Sequence, residues 1–131
     1  MSNSMPLTKD VIEDIMKDMQ LMGGDLPSEC VRKAYVVRLN GLLKHGALQV
    51  LDHPQRFEST MEMKRRPPNS NLSFLKAILQ FIQTLKRKGR WYEFYQQDAE
   101  TTLAAYRQLI RQMNLQLKEM QAASPPTEGC V

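Results

Sequence analysis

Leu72-Ser73-Phe74-Leu75-Lys76-Ala77-Ile78-Leu79-Gln80-Phe81-Ile82-Gln83-Thr84-Leu85 is the stretch that decides the fold class. Leu72, Leu75, Ile78, Leu79, Ile82 and Leu85 recur every three or four residues, the spacing that lines one face of an α-helix. Phe74 and Phe81 widen that face, so the helix offers apolar surface to more than one neighbour and is predicted to lie at the centre of a core. Lys86-Arg87-Lys88-Gly89 stops it. Cations suit the negative end of the helix dipole, and glycine readily takes the left-handed turn that follows.

Upstream of this helix, Lys64-Arg65-Arg66-Pro67-Pro68-Asn69-Ser70-Asn71 reads as a loop, with Ser70 or Asn71 capping the helix that follows. Phe57 and Met61 suggest a short helix opened by Pro54, and residues 47–52 an apolar segment of one or two turns. A helix is predicted over residues 29–45, capped by Ser28 and ended by Gly46. Its face is read as Val31, Ala34, Tyr35, Arg38, Leu39, Leu42 and Leu43. The first helix starts from Thr8, carries Val11, Ile12, Ile15, Met16, Met19 and Met22, and stops at Gly23-Gly24.

Downstream, residues 90–97 form a short aromatic element in which Trp91, Phe94 and Tyr95 share a helical face. The last helix spans residues 100–121, with Leu103, Tyr106, Ile110, Met113, Leu117 and Met120 as its stripe. Residues 1–7 are expected to be a flexible N-terminus, 8–121 a helical domain, and 122–131 a disordered C-terminal tail around Pro125-Pro126. Helix-favouring Leu, Met, Lys, Gln and Arg dominate, and no alternating run supports a strand. The expected fold is all-α, a compact antiparallel bundle of five to six helices.

No stretch has the roughly 18 uncharged apolar residues of a membrane span, so no membrane partner is expected. The opening residues lack a signal-peptide layout. Cys30 and Cys130 do not suggest a disulfide framework, and Cys30 is expected to be half-buried. These readings favour a cytoplasmic setting, with a nuclear one as the alternative.

The net charge of +4 hides a division along the chain. Residues 1–31 carry 2 basic and 6 acidic side chains, whereas residues 61–92 carry 8 and 1. An acidic first helix and a basic middle can pair with a complementary partner or with a second copy. The candidate partner-binding residues are Asp10, Glu13, Asp14 and Asp18 on the acidic side. On the basic side they are Lys64, Arg65, Arg66, Lys86, Arg87, Lys88 and Arg90. Cations beside Trp91, Tyr92, Phe94 and Tyr95 could also grip phosphates and stack bases. The preferred reading is that the cations close a helix and the aromatics fill the core.

Catalytic and ligand-binding patterns are missing from the sequence. His45 and His53 have no cysteine at zinc-ligand spacing. Gly23-Gly24 is no phosphate loop, and there is no Gly-x-Ser-x-Gly turn. No metal, cofactor or catalytic residue is predicted. The nine methionines are read chiefly as core filler.

Leu75, Ile78, Leu79 and Ile82, then Lys88-Gly89, then Trp91 and Phe94, then Leu103, Tyr106 and Leu109 follow one another as in a caspase-recruitment domain. Leu42-Leu43-Lys44-His45-Gly46-Ala47-Leu48 is similar to that family's Leu-Leu-x-x-Gly-x-Leu run. Over about residues 10–112 the chain therefore resembles this branch of the death-fold superfamily. It departs from the pattern in the Pro-rich segment 63–71, in its longer last helix and in the double glycine after its first. The resemblance implies a six-helix antiparallel bundle that binds like domains through complementary charged patches, as a homotypic signalling adaptor. Two other functions fit the same residues. One is a helical subunit of a transcription or chromatin complex; the other is a nucleic-acid-binding module that uses the basic segment 64–90.

Overall fold

The computed structural model describes residues 7–20 and 26–123. Gly23-Gly24, Met22, Cys130, residues 1–6 and residues 124–131 lie outside them, so the readings placed there are not addressed. Six α-helices and one 3-10 turn form the described part: α1 (Lys9–Met16), α2 (Glu29–Lys44), the turn Leu48–Val50, α3 (Pro54–Thr60), α4 (Pro68–Arg87), α5 (Trp91–Phe94) and α6 (Ala99–Ala123). The fold is all-α, and no strand occurs among the described residues.

Local chemistry sets the helix ends. The Thr8 hydroxyl accepts from the Val11 N–H (3.2 Å) and the Ser28 hydroxyl from the Val31 N–H (3.3 Å), each satisfying a donor of a first turn. Gly46 and Gly89 take positive φ, 74° and 69°. Behind them the Ala47 N–H reaches the Leu42 carbonyl and the Arg90 N–H the Leu85 carbonyl, the six-to-one closure of a left-handed C-terminus. Glu62 (φ 50°) does the same for α3 without being glycine, and Met63 N–H bonds the Glu58 carbonyl.

The start of α4 differs from its sequence reading. Pro68 opens the helix, and Asn69, Ser70 and Asn71 lie inside it. A proline at the first helical position loses no hydrogen bond, because that N–H has no partner within a helix. Asn71 is 2% exposed and donates to the Met63 carbonyl (2.9 Å), which ties the loop down onto the helix.

The centre of the core is α4, as its pattern predicts. Leu75, Ala77, Ile78, Phe81, Ile82 and Leu85 are wholly buried, and the helix touches α1, α2, α5 and α6. Its main partner is α6. Lys86 pairs with Glu100, while Asn71 meets Met113, so the two helices run antiparallel. The buried stripe of α6 is Leu103, Tyr106, Leu109 and Met113; Met120 is largely exposed. Met16, Met19, Met61, Met63 and Met113 are core residues.

Two sequence readings of α2 are corrected. Leu39 and Leu42 are buried and Tyr35 and Leu43 pack against the core as read, but Val36 is buried too, whereas Val31 and Ala34 face solvent. Cys30 is exposed rather than half-buried. The misreading arose because α2 carries apolar residues on both sides, so periodicity alone does not fix the inner one. The first helix ends at Met16, short of its glycines, although Met19 still packs into the core.

The segment Leu48-Gln49-Val50-Leu51-Asp52 receives the second half of the chain. The Tyr95 hydroxyl donates to the Leu48 carbonyl (2.8 Å) and the Tyr106 hydroxyl to the Leu51 carbonyl (2.6 Å). Asp52, 8% exposed, accepts from the N–H groups of Gln96 (3.1 Å) and Gln97 (3.3 Å) through one oxygen. Replacing Asp52 with Ala strands two backbone donors. The expected loss is about 1–3 kcal/mol of stability, read as a lower urea midpoint with an unchanged slope.

Candidate interaction surfaces

The charged residues singled out in the sequence do not form two separate patches. Asp18 on the exit of α1 pairs with Lys88, and its carbonyl accepts from the Arg87 guanidinium. Asp14, one helical turn earlier, lies 3.7 Å from Arg90. Arg90 also bonds Glu93 (3.2 Å) and stacks over the Phe94 ring. Lys86 is held by Glu100. Three of the candidate cations, Arg87, Lys88 and Arg90, and two of the candidate acids thus meet in one intramolecular seam, where α1 closes onto the α4–α5 junction, while Lys86 faces α6 instead.

The second basic cluster lies at the other end of α4. Arg66 turns inward, donating to the Met61 carbonyl (2.7 Å) and covering the Phe74 ring. Arg65 reaches Glu62 at 3.4 Å with both side chains mostly exposed, and Lys64 is exposed. Asp10 and Glu13 are exposed on α1. The candidate cations of the run 64–90 are therefore split between the two ends of a 20-residue helix, about 30 Å apart, with Lys76 exposed between them.

A groove of about 780 Å³ runs between α3 and α6, over Asp52, His53, Arg56, Asp98 and Leu109. His53 Nε2 stands 3.9 Å from Asp52 Oδ1. The groove's two threonines are already engaged. Thr101 Oγ1 donates to the Asp98 carboxylate (2.9 Å) and Thr102 Oγ1 to the Asp98 carbonyl (2.8 Å). The Asp98 carboxylate also accepts from the Thr101 N–H (2.9 Å), so it caps α6, and these hydrogen bonds lower its pKa. The sequence reading missed this cap, although an Asp directly ahead of a helix is a common cap. Among the described residues no group of three His, Cys, Asp or Glu side chains could hold a metal ion, and no helix is long and apolar enough to cross a membrane.

Burial holds the Tyr95 and Tyr106 hydroxyls protonated. Both pKa values are raised, first by desolvation and then by the Asp52 charge. They are fixed donors of the core rather than groups poised to titrate.

Comparison with known proteins gives no relative: no family model, curated protein or solved structure matches this chain.

In the seam, the Lys88 hydrogen bond and charge lower the Asp18 pKa below its ordinary 3.8. A depressed carboxyl contributes stability above its unfolded pKa, and that contribution fades as pH falls through the folded value. The Asp18→Asn variant is therefore expected to lose stability at pH 7 and to approach the parent below about pH 4. Urea midpoints across pH 2–7 measure this; parallel curves for the two proteins would contradict it.

Proposed function

We propose that this chain is a non-enzymatic protein–protein interaction module of the death-fold type, a homotypic adaptor that assembles through complementary acidic and basic poles. The observation that carries this reading is the placement of the charges outside the seam. Asp14 and Asp18 fix α1 at the C-terminal end of α4. Asp10 and Glu13, exposed on that same short helix, would supply the acidic pole. Lys64 and Arg65 form an exposed basic pole at the opposite end. Unlike charges on opposite ends of one molecule suit head-to-tail contacts, which join unlike surfaces and propagate. Such rim charges steer encounter and choose partners more than they add affinity.

The order of elements agrees with the same reading: six helices, with a short α3 and a Trp-opened α5 between two long ones. The division of the basic residues between two ends weighs against a nucleic-acid reader, which needs a continuous positive track. A cytoplasmic setting fits an adaptor of this kind.

Light scattering over a concentration series tests the proposal. Growth in mean mass at low salt is expected, with reversal at high salt. The Arg65→Glu variant and the Asp10→Lys/Glu13→Lys variant should each stay monomeric alone. Mixed together, each blocked at a different pole, they should yield a species no larger than a pair. A mass that is constant at every concentration and salt would overturn the reading.

A further inference from the structure

Asp14 and Asp18 find cations within the fold; the acids of the groove between α3 and α6 do not. Asp52, Glu58 and Asp98 line that groove. Among the described residues none of the three has a lysine or arginine within ion-pair distance. Arg56 also lines the groove and is exposed, so three carboxylates stand against one guanidinium. The protein as a whole is basic, with a net charge of +4, and the groove is a local reversal of that field. A cleft lined by one sign of charge between low-dielectric walls concentrates its field on whatever enters.

Asp52 distinguishes this groove from a solvated acidic cluster. The residue is 8% exposed, and its Oδ2 accepts both the Gln96 and the Gln97 N–H. Its Oδ1 accepts from no donor among the described residues. His53 Nε2 stands 3.9 Å from it, beyond hydrogen-bond reach. The neighbouring hydroxyls are already committed: Tyr95 to the Leu48 carbonyl, Tyr106 to the Leu51 carbonyl, Thr101 and Thr102 to Asp98. A carboxylate oxygen so far out of water is costly to leave without a donor. Oδ2 is turned to the α5–α6 link, and Oδ1 lies on the side of His53, which lines the groove as Asp52 does. The donor that completes Asp52 therefore has to come from the groove.

We infer that the groove binds the guanidinium of an arginine side chain presented by a partner protein, with Asp52 Oδ1 as its principal acceptor. Its volume of about 780 Å³ falls within the roughly 300–1,000 Å³ of ligand sites. Pro54, Ala105 and Leu109 supply an apolar wall, along which an arginine stem lies while its head reaches the carboxylates. Asp98 caps α6 through Oδ2, while its Oδ1 meets only the Tyr92 hydroxyl, at 3.4 Å. Glu58 has no hydrogen bond from its side chain to hold it elsewhere. A guanidinium suits this arrangement better than an ammonium, because its donors spread over a plane and can serve acceptors on two sides. It is also the more weakly hydrated cation and enters a half-buried site with less loss. The site needs no second copy of the chain and is independent of the charged poles.

An NMR titration of the isotope-labelled full chain with N-acetyl-arginine amide tests the inference. The Asp10→Lys/Glu13→Lys variant serves as background, so that association through the poles plays no part and the two proposals fail separately. The N–H signals of Gln97, Thr101 and Thr102 are expected to shift and to saturate in about the millimolar range, as befits a single side chain. The citrulline analogue, which has the same shape and no charge, should bind about tenfold more weakly, and N-acetyl-lysine amide should also bind more weakly. Asp52→Asn keeps an oxygen for Gln96 and Gln97 and should abolish binding while circular dichroism remains unchanged. Glu58→Gln, which breaks no bond of the fold, should weaken binding about threefold. Shifts that stay linear with concentration overturn the inference, as does a citrulline or lysine analogue that binds as tightly as the arginine one. So does inorganic phosphate moving the same signals, which marks an anion site on Arg56 and His53, and so does an affinity indifferent to both substitutions.

Discussion

A carboxylate that is taken out of water has to be given hydrogen bonds, and Asp52 imposes that condition on the whole bundle. Its side chain is 8% exposed and accepts from the Gln96 and Gln97 N–H groups. Those donors belong to the link between α5 and α6, so satisfying the charge fixes where α6 begins. The Trp91 indole N–H bonds the Gln97 carbonyl (2.7 Å) from the other side, and the Trp91 ring stacks on Tyr95 at 4.4 Å. Tyr95 and Tyr106 then satisfy the carbonyls of Leu48 and Leu51, which lie next to Asp52. One short turn, with too few residues to satisfy its own backbone, is thereby closed by side chains 47 and 55 residues away. Leaving any of these groups unpaired in the interior costs more than the hydrogen bond itself contributes, and this is why the two halves of the chain can adopt only one mutual position.

The sequence revealed α4 and α6 because each has a single wide apolar stripe, and one-sided periodicity has one structural solution. For α2 it revealed the ends and the C-terminal part of the inner face, Leu39, Leu42 and Leu43, but not the N-terminal part. Ser28 and Gly46 mark the boundaries by local chemistry. In the first half of the helix Val31 and Ala34 compete with Tyr35 and Val36 for the inner side, and only tertiary packing chooses between them. The start of α4 was misread because proline was treated as a helix breaker, when at the first position it costs nothing. The convergence on Asp52 could not be read at all. It depends on residues far apart in the chain, and an isolated Asp ahead of His53-Pro54 has the same appearance in a loop as in a core.

Charge was legible as a quantity and not as a surface. The excess of acid in residues 1–31 and of base in residues 61–92 is plain in the sequence, but folding spends part of both on each other. Lys88 and Arg90 are half-buried, with side chains 23% and 24% exposed, and are covered by α1. Cations so placed beside an apolar core are stabilised by an opposite charge more than fully solvated ones are. The acidic character of α1 therefore has a first purpose within the fold, that of holding an eight-residue helix that is too short to be stable alone.

That internal use sharpens the functional reading. Had all the candidate acids and bases remained solvated, the molecule would display several patches with no fixed geometry between them. With the seam closed, Lys64 and Arg65 stand at the end of α4 opposite the one that anchors α1, a separation set by the length of that helix. On the proposed reading, poles held so far apart by a rigid element would extend the assembly in one direction. Such an extension would rest on exposed charges, which salt screens, whereas the apolar core of each module would not feel it.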